Sequence, residues 1–314
     1  MKAIVVGHTG QDGTILCDSL KQKGYKVFGF SRSSVYTNSD EGLHLKPSLA
    51  DEQSIYQLVQ DFQPSEIYYL AAHHTSSERQ QNETLSQSFA LAQATHVTGL
   101  LNVLCAIKDL LPSCRLFYAS SSLVFSGEDG EVQTERTPLS PRGFYAITKV
   151  QAMHLCKEFR DRFGIFASVG ILYNHESCLR PHYFLSQKII QAALRIASGS
   201  QEKLILGDLS ARVDWSYAPD FIRAFQAIIN LPISDDFIIS RGEAYSVKEF
   251  VNIVFDYFNL DYPRYVVQDE SLLHRRSLTR IGDCSKLKEK AGWSSSLDFH
   301  AFVRQLVIDS KSSI

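Results

Sequence analysis

The chain has 314 residues, 44% apolar and 21% charged, with 32 basic against 34 acidic side chains and a formal net charge of -2. That length builds one large domain or two modest ones. The near-neutral balance excludes a general electrostatic affinity for nucleic acid or for an anionic membrane, so an anionic ligand must be met by a local site. No run of a dozen consecutive apolar residues occurs, and Met1-Lys2-Ala3-Ile4 leads directly into a strand-like segment, so the expectation is a soluble, unexported, cytoplasmic chain with no membrane partner. The six cysteines (Cys17, Cys105, Cys114, Cys156, Cys178, Cys284) lie far apart and mostly inside apolar segments. They read as reduced core thiols, without a disulfide framework or a metal site.

In chain order, short β-rich runs alternate with segments of helical period. Strands are expected at Ala3 to Val6, Lys26 to Phe30, Glu66 to Ala71, Arg115 to Ala119 and Ser168 to Leu172. Crossover helices are expected at Thr14 to Lys23, Ser54 to Asp61, Gly99 to Leu110 and Tyr145 to Arg162. This is the pattern of a doubly wound α/β Rossmann-type domain with a mainly parallel, seven-stranded sheet. From about Asn174 the alternation weakens into a helix (Phe184 to Ala197), a short strand (Lys203 to Leu206), a helix (Asp220 to Asn230) and later pieces. The expected division is a dinucleotide-binding domain over 1–173, to which about 208–242 returns, and a smaller mixed substrate lobe formed mainly by 174–314. The loops Ser31 to Gly42 and Val267 to Ile281 are the polar stretches expected to move or close over a ligand.

After the first strand comes Gly7-His8-Thr9-Gly10-Gln11-Asp12-Gly13. Glycine is needed where backbone approaches a pyrophosphate or packs tightly at a helix start, and the helix N-terminus offers free N–H groups and a positive dipole end. Its place between strand and helix is the context that a dinucleotide fingerprint requires. The second strand ends in Ser31-Arg32-Ser33-Ser34, where an acidic residue would accept from the adenosine ribose hydroxyls and an arginine can pair with a 2′-phosphate. Arg32 therefore favours NADP over NAD.

Tyr145-Ala146-Ile147-Thr148-Lys149 opens a helix and places a phenol and an ammonium on one face. The cation is expected to stabilise the phenolate and bring the phenol toward useful acid–base range. Ser120-Ser121-Ser122 follows the strand Arg115 to Ala119, and Ser121 can bond the same substrate oxygen.

With these residues in place, the chain resembles the extended short-chain dehydrogenase/reductases along nearly its whole length, and among them the GDP-mannose 4,6-dehydratase family. The resemblance is carried by Thr9-Gly10-Gln11-Asp12-Gly13, Tyr69-Leu70-Ala71-Ala72, Tyr145-Ala146-x-x-Lys149, Gly170-Ile171-Leu172-Tyr173-Asn174-His175-Glu176-Ser177, Asp214-Trp215 and Tyr245-Ser246-Val247. It implies NADP as cofactor, a nucleotide-diphosphate hexose such as a GDP-hexose as substrate, and a homodimer or homotetramer. Ser121, Tyr145 and Lys149 would be catalytic. Gly7, Thr9, Gly10, Gln11, Asp12, Gly13, Arg32, Leu70, Ala71 and Ala72, with Tyr145 and Lys149, would hold the cofactor. Ser122, Leu123, Asn174, Lys188, Arg212, Arg275 and Arg276 would face the substrate.

The chain also departs from that family. Where the dehydratases read Ser-Thr-Ser-Glu, with a glutamate that moves the C5 and C6 protons, this chain has Ser120-Ser121-Ser122-Leu123. An alkyl side chain cannot move a proton. The expected reaction is therefore hydride transfer at sugar C4 without dehydration, as a 4-keto reductase or epimerase. The alternatives are a dehydratase with a substitute acid, for which Glu128, His73 and His74 are the candidates, and a non-catalytic nucleotide-sugar or NADP-binding protein. Ser48 and His96 stand where an aspartate and an asparagine are usual, and Arg212 is one residue farther from the Asp-Trp pair. His175 and Glu176 read as a buried polar pair that orders the crossing between lobes.

Overall fold

A computed structural model describes residues 1–38, 45–73, 84–125, 129–269, 271 and 278–312. The Val-, Ile-, Phe- and Tyr-rich runs form β1 (Lys2–Val6), β2 (Lys26–Phe30), β3 (Val35–Thr37), β4 (Glu66–Tyr69) and β5 (Arg115–Ala119), joined by the strands Ala167–Leu172 and Asp236–Ile239 into one sheet. Its order is Asp236–Ile239, Ala167–Leu172, β5, β4, β1, β2, β3. All neighbours are parallel except β2 and β3. In β1 the side chains alternate between faces, Ile4 and Val6 joining one apolar cluster and Ala3 and Val5 the other. The first cluster packs α2 (Glu52–Phe62), α4 (Gly99–Leu110) and α5 (Phe144–Phe163) on one side of the sheet. The second packs α1 (Gln11–Gln22), through Leu16 and Leu20, and α7 (Ala218–Ile229), through Phe221 and Phe225, on the other.

Burying each such Leu or Phe contributes about 1.5–3 kcal/mol relative to leaving it exposed. A third cluster joins α6 (Leu185–Ala197), α8 (Val247–Tyr257) and the helix Phe299–Ser312 around Trp215, Phe250 and Phe302. A capping box between Ser246 and Glu249 starts α8.

The differences from the sequence-based expectation have identifiable causes. Val35–Thr37, inside an expected loop, pairs antiparallel with β2 because that strand otherwise ends the sheet with unpaired backbone groups. Val266–Gln268, at the start of the second expected loop, pairs with Leu204–Leu206. Strand β4 stops at Tyr69, two residues early, and α1 begins at Gln11, three residues before the apolar period shows itself. Between α3 (Leu85–Gln93) and α4 runs a π-helical turn, Ala94–Thr98. The stretch Leu85–Leu110 is long and apolar enough to cross a membrane by length and composition, but Leu100, Val103, Leu104 and Ile107 are buried against the sheet.

Candidate active site

At the carboxyl ends of the parallel strands lies a cleft of about 1410 Å³, the place where open α/β sheets bind ligands. Its floor is the glycine loop. Gly7 has φ +93°, its N–H donates to Phe30 O at 2.8 Å, and a Cβ there would lie 2.8 Å from Ala71 N. A Cβ on Gly13 would lie 2.3 Å from Gly7 O. These two glycines serve the protein's own packing. Gly10, the N-cap of α1, differs: its Cβ would meet nothing nearer than Gly7 O at 3.5 Å. A side chain there is excluded only when something else approaches the helix N-terminus.

Two further observations fit a dinucleotide in this cleft. Ser120, 3% exposed and on the cleft wall, has a buried hydroxyl without a partner among the described residues. Lys149 is 1% exposed, and its Nζ donates to Ala119 O at 2.7 Å with no carboxylate in an ion pair with it among the described residues. Thr9, Arg32, Leu70, Ala71 and Ala72 also line the cleft.

Gln11 and Asp12 line it too, yet their side chains are occupied elsewhere. Asp12 faces His175 Nε2 at 3.0 Å. Gln11 Nε2 donates to His175 O at 3.1 Å, and Ser177 Oγ donates to Gln11 Oε1 at 2.8 Å. Burial opposes ionisation of Asp12, but the charge and hydrogen bond of His175 outweigh it and hold the carboxyl below its usual range. Glu176 accepts from Ser186 Oγ at 2.6 Å and pairs with Arg180 at 3.4 Å. His175 and Glu176 are thus buried and bonded to opposite sides of the crossing.

Tyr145 and Lys149 occupy the first two turns of α5, and Ser121 caps the short turn Ser122–Val124 after β5. The three meet on the cleft wall, with Ser121 hydrogen-bonded to the phenol. The electrostatics differ from the expectation. Burial pushes the Tyr145 phenol up to about 12, outweighing the lowering by Ser121 and by the Arg180 guanidinium. Burial also pushes Lys149 down to about 7. The Lys149 ammonium bonds a carbonyl and lies 5.6 Å from the centre of the phenol ring, so desolvation decides the state of the tyrosine.

Leu123 is 37% exposed and lies on the same wall beside Ser122. The carboxylates that line the cleft among the described residues are Asp12 and Asp214. Asp214 accepts from the backbone N–H groups of Arg241, Gly242 and Gly282, and burial raises it to about 6. Both are committed to holding structure.

Asn174 and Arg212 reach the cleft, Arg212 while donating to Ala244 O and facing Glu249 at 3.8 Å. Lys188 does not line it. It borders a separate recess of about 370 Å³ with Arg195, Lys203 and Asp269. Arg275, Arg276, His74 and Glu128 lie outside the described residues. Sequence reasoning missed Arg180 and Lys46, which line the cleft. Arg180 stood three residues past the Asn-His-Glu-Ser segment, a signal that was available; nothing in the sequence around Lys46 marked it. Among the described residues no cluster of metal-ligating side chains occurs, and all six cysteines are free.

The family model described as "GDP-mannose 4,6 dehydratase" matches residues 4–306. GDP-mannose 4,6 dehydratase 2 of Arabidopsis thaliana is 32% identical over 97% of this chain and 85% of its own length. The Homo sapiens GDP-mannose 4,6 dehydratase is 30% identical over 97% and 90%. Among solved structures, RMD from Pseudomonas aeruginosa complexed with NADPH superposes with a TM-score of 0.82 at 20% identity, over 100% of this chain and 99% of that one. UDP-glucose 4-epimerase from Thermotoga maritima gives 0.81 at 20% identity, over 100% and 99%. Both share the fold.

Proposed function

The chain belongs to the GDP-mannose 4,6-dehydratase family, and within it we propose an NADP(H)-dependent enzyme that transfers hydride at C4 of a nucleotide-diphosphate hexose, as a 4-keto reductase or epimerase, without dehydrating it. Leu123 carries this reading. It lines the cleft, the resemblance aligns it with the glutamate of the dehydratases, and the carboxylates that line the cleft among the described residues, Asp12 and Asp214, are bonded within the protein.

The dinucleotide supplies, when bound, a hydride donor or acceptor at its nicotinamide. The protein contributes the rest. The free N–H groups at the start of α1 face the anionic end, and Arg32 and Lys46 give the adenosine end two cations. Lys149, fixed by Ala119 O, offers its remaining N–H bonds to ribose hydroxyls. Ser121 and Tyr145 hold the C4 oxygen. With its phenol near 12, Tyr145 keeps its proton at neutral pH, which suits it to protonate that oxygen as a 4-ketone is reduced. Beside C5 and C6, the alkyl wall of Leu123 suits a substrate whose C6 is already a methyl group.

The test is incubation of the protein, with and without NADPH, against GDP-, UDP-, CDP- and dTDP-hexoses and their 4-keto-6-deoxy forms, read by mass spectrometry. Gain of two hydrogens by a keto form, or 4-epimer exchange, is the expected result. Efficient loss of water from GDP-mannose would overturn the proposal in favour of dehydration with a substitute acid, and absence of turnover on the whole panel would favour a binding protein.

A further inference from the structure

The π turn Ala94–Thr98 carries His96, which is wholly buried. A π turn displaces the helix ladder by one residue and often sits at a functional site; here Tyr69 Oη donates to Thr95 O beside it. His96 has a partner on each ring nitrogen. The His73 N–H donates to Nε2 at 2.9 Å, so Nε2 carries no proton. In the neutral ring Nδ1 must then be the donor, and it meets Thr148 Oγ1 at 2.7 Å. The Thr148 hydroxyl, accepting from His96, gives its own hydrogen to Phe144 O or Tyr145 O, each 3.0 Å away. Every donor in this chain points the same way, from the segment after β4 into the first turn of α5. The His96 ring also meets the Tyr145 ring edge to face, with centroids 5.3 Å apart and planes at 89°.

We propose that His96 is a positioning residue for Tyr145: locked as the Nδ1–H tautomer, it fastens the first turn of α5 to the segment after β4 and fixes the plane of the phenol. The inference rests on the reading of Tyr145 as the proton donor, and it explains why a histidine can stand in this helix without touching substrate. An asparagine at this position could make one or both hydrogen bonds but could not hold the aromatic edge.

The experiment uses the full chain, His96→Phe, Thr148→Val and the double variant. In protein labelled with ¹⁵N-histidine, the resonances lost in His96→Phe identify His96. They should report the neutral Nδ1–H tautomer, and Thr148→Val should shift the Nδ1 signal. NADPH affinity should stay within about threefold in each variant, whereas kcat falls at least about tenfold at an unchanged KM. The double variant should be no slower than the slower single one, because the two residues form one chain. An Nε2–H tautomer or an imidazolium at His96 overturns the proposal. So do additive losses, or a loss of NADPH affinity as large as the loss of kcat. If the wild type turns over no sugar nucleotide, the proposed function falls, and the tautomer with its dependence on Thr148 decides the role of His96 alone.

Discussion

The two halves of the cleft are specified by different means. On the side proposed for the dinucleotide the decisive features are backbone: the N-terminus of α1, presented by a turn that two packing glycines hold, one with φ +93° and one whose Cβ would lie 2.3 Å from a carbonyl. On the side proposed for the sugar they are side chains at strand and turn ends, Leu123, Asn174, Arg180 and Arg212, all at least partly solvent-accessible. A backbone site cannot change without disturbing the fold. A site of exposed side chains can exchange an acid for a leucine and leave the sheet intact, so chemistry can diverge where packing is loosest.

The largest expected effect tests the boundary between the halves. Tyr145→Phe keeps the ring and its edge contact but loses the proton; turnover should fall about 10²–10⁴-fold, with NADPH affinity in a fluorescence titration nearly unchanged. Comparable losses in both would mean that the phenol belongs to the binding wall.

Next come the glycines. Gly13→Ala forces a Cβ into Gly7 O, and a clash against backbone in a packed turn should cost about 1–3 kcal/mol of unfolding free energy, read from urea midpoints. Gly10→Ala, with room for its methyl, should unfold like the wild type yet bind dinucleotide more weakly. Equal stability losses in the two variants would erase the distinction between packing and ligand-facing glycines.

On the proposed reading the protein binds NADP more tightly than NAD, and Arg32→Ala should reduce that ratio about tenfold, since a charge-assisted bond to phosphate contributes about 1.5–3 kcal/mol; an unchanged calorimetric ratio would remove Arg32 from cofactor choice.

The smallest effect is one of pH. Because the folded-state pKa of Asp12 lies below its unfolded value of 3.8, its contribution to stability is present above that value and is lost as pH falls through the folded pKa. The stability gap between wild type and Asp12→Asn should therefore shrink on acidification. A gap that widened would mean that His175 does not hold the carboxylate.

Much of the sheet was legible because buried parallel strands and their crossover helices write period 2 and period 3.6 directly into the apolar residues. The edge strand Val35–Thr37 was not, since its pairing is driven by the open flank of β2 and not by its own composition. The glycine loop and the Ser121, Tyr145, Lys149 trio were legible from spacing. The ionisation of that trio was not: proximity of a cation suggested a lowered phenol, whereas the degree of burial, a property of the whole fold, raises it. The π turn was not legible either: the apolar period marked a helix only over Gly99 to Leu110, and the one-residue change of backbone register before it has no side-chain signature of its own.

The clasp between Gln11-Asp12 and His175–Ser177 joins residues that are 166 positions apart at its widest hydrogen bond. A chimera cut near Tyr173 would separate its two sides. Exchange of sequence between relatives at that point should therefore yield sound proteins only when both parents carry matching partners, which makes the clasp a filter on recombination: halves that differ here cannot be traded freely, however similar their folds.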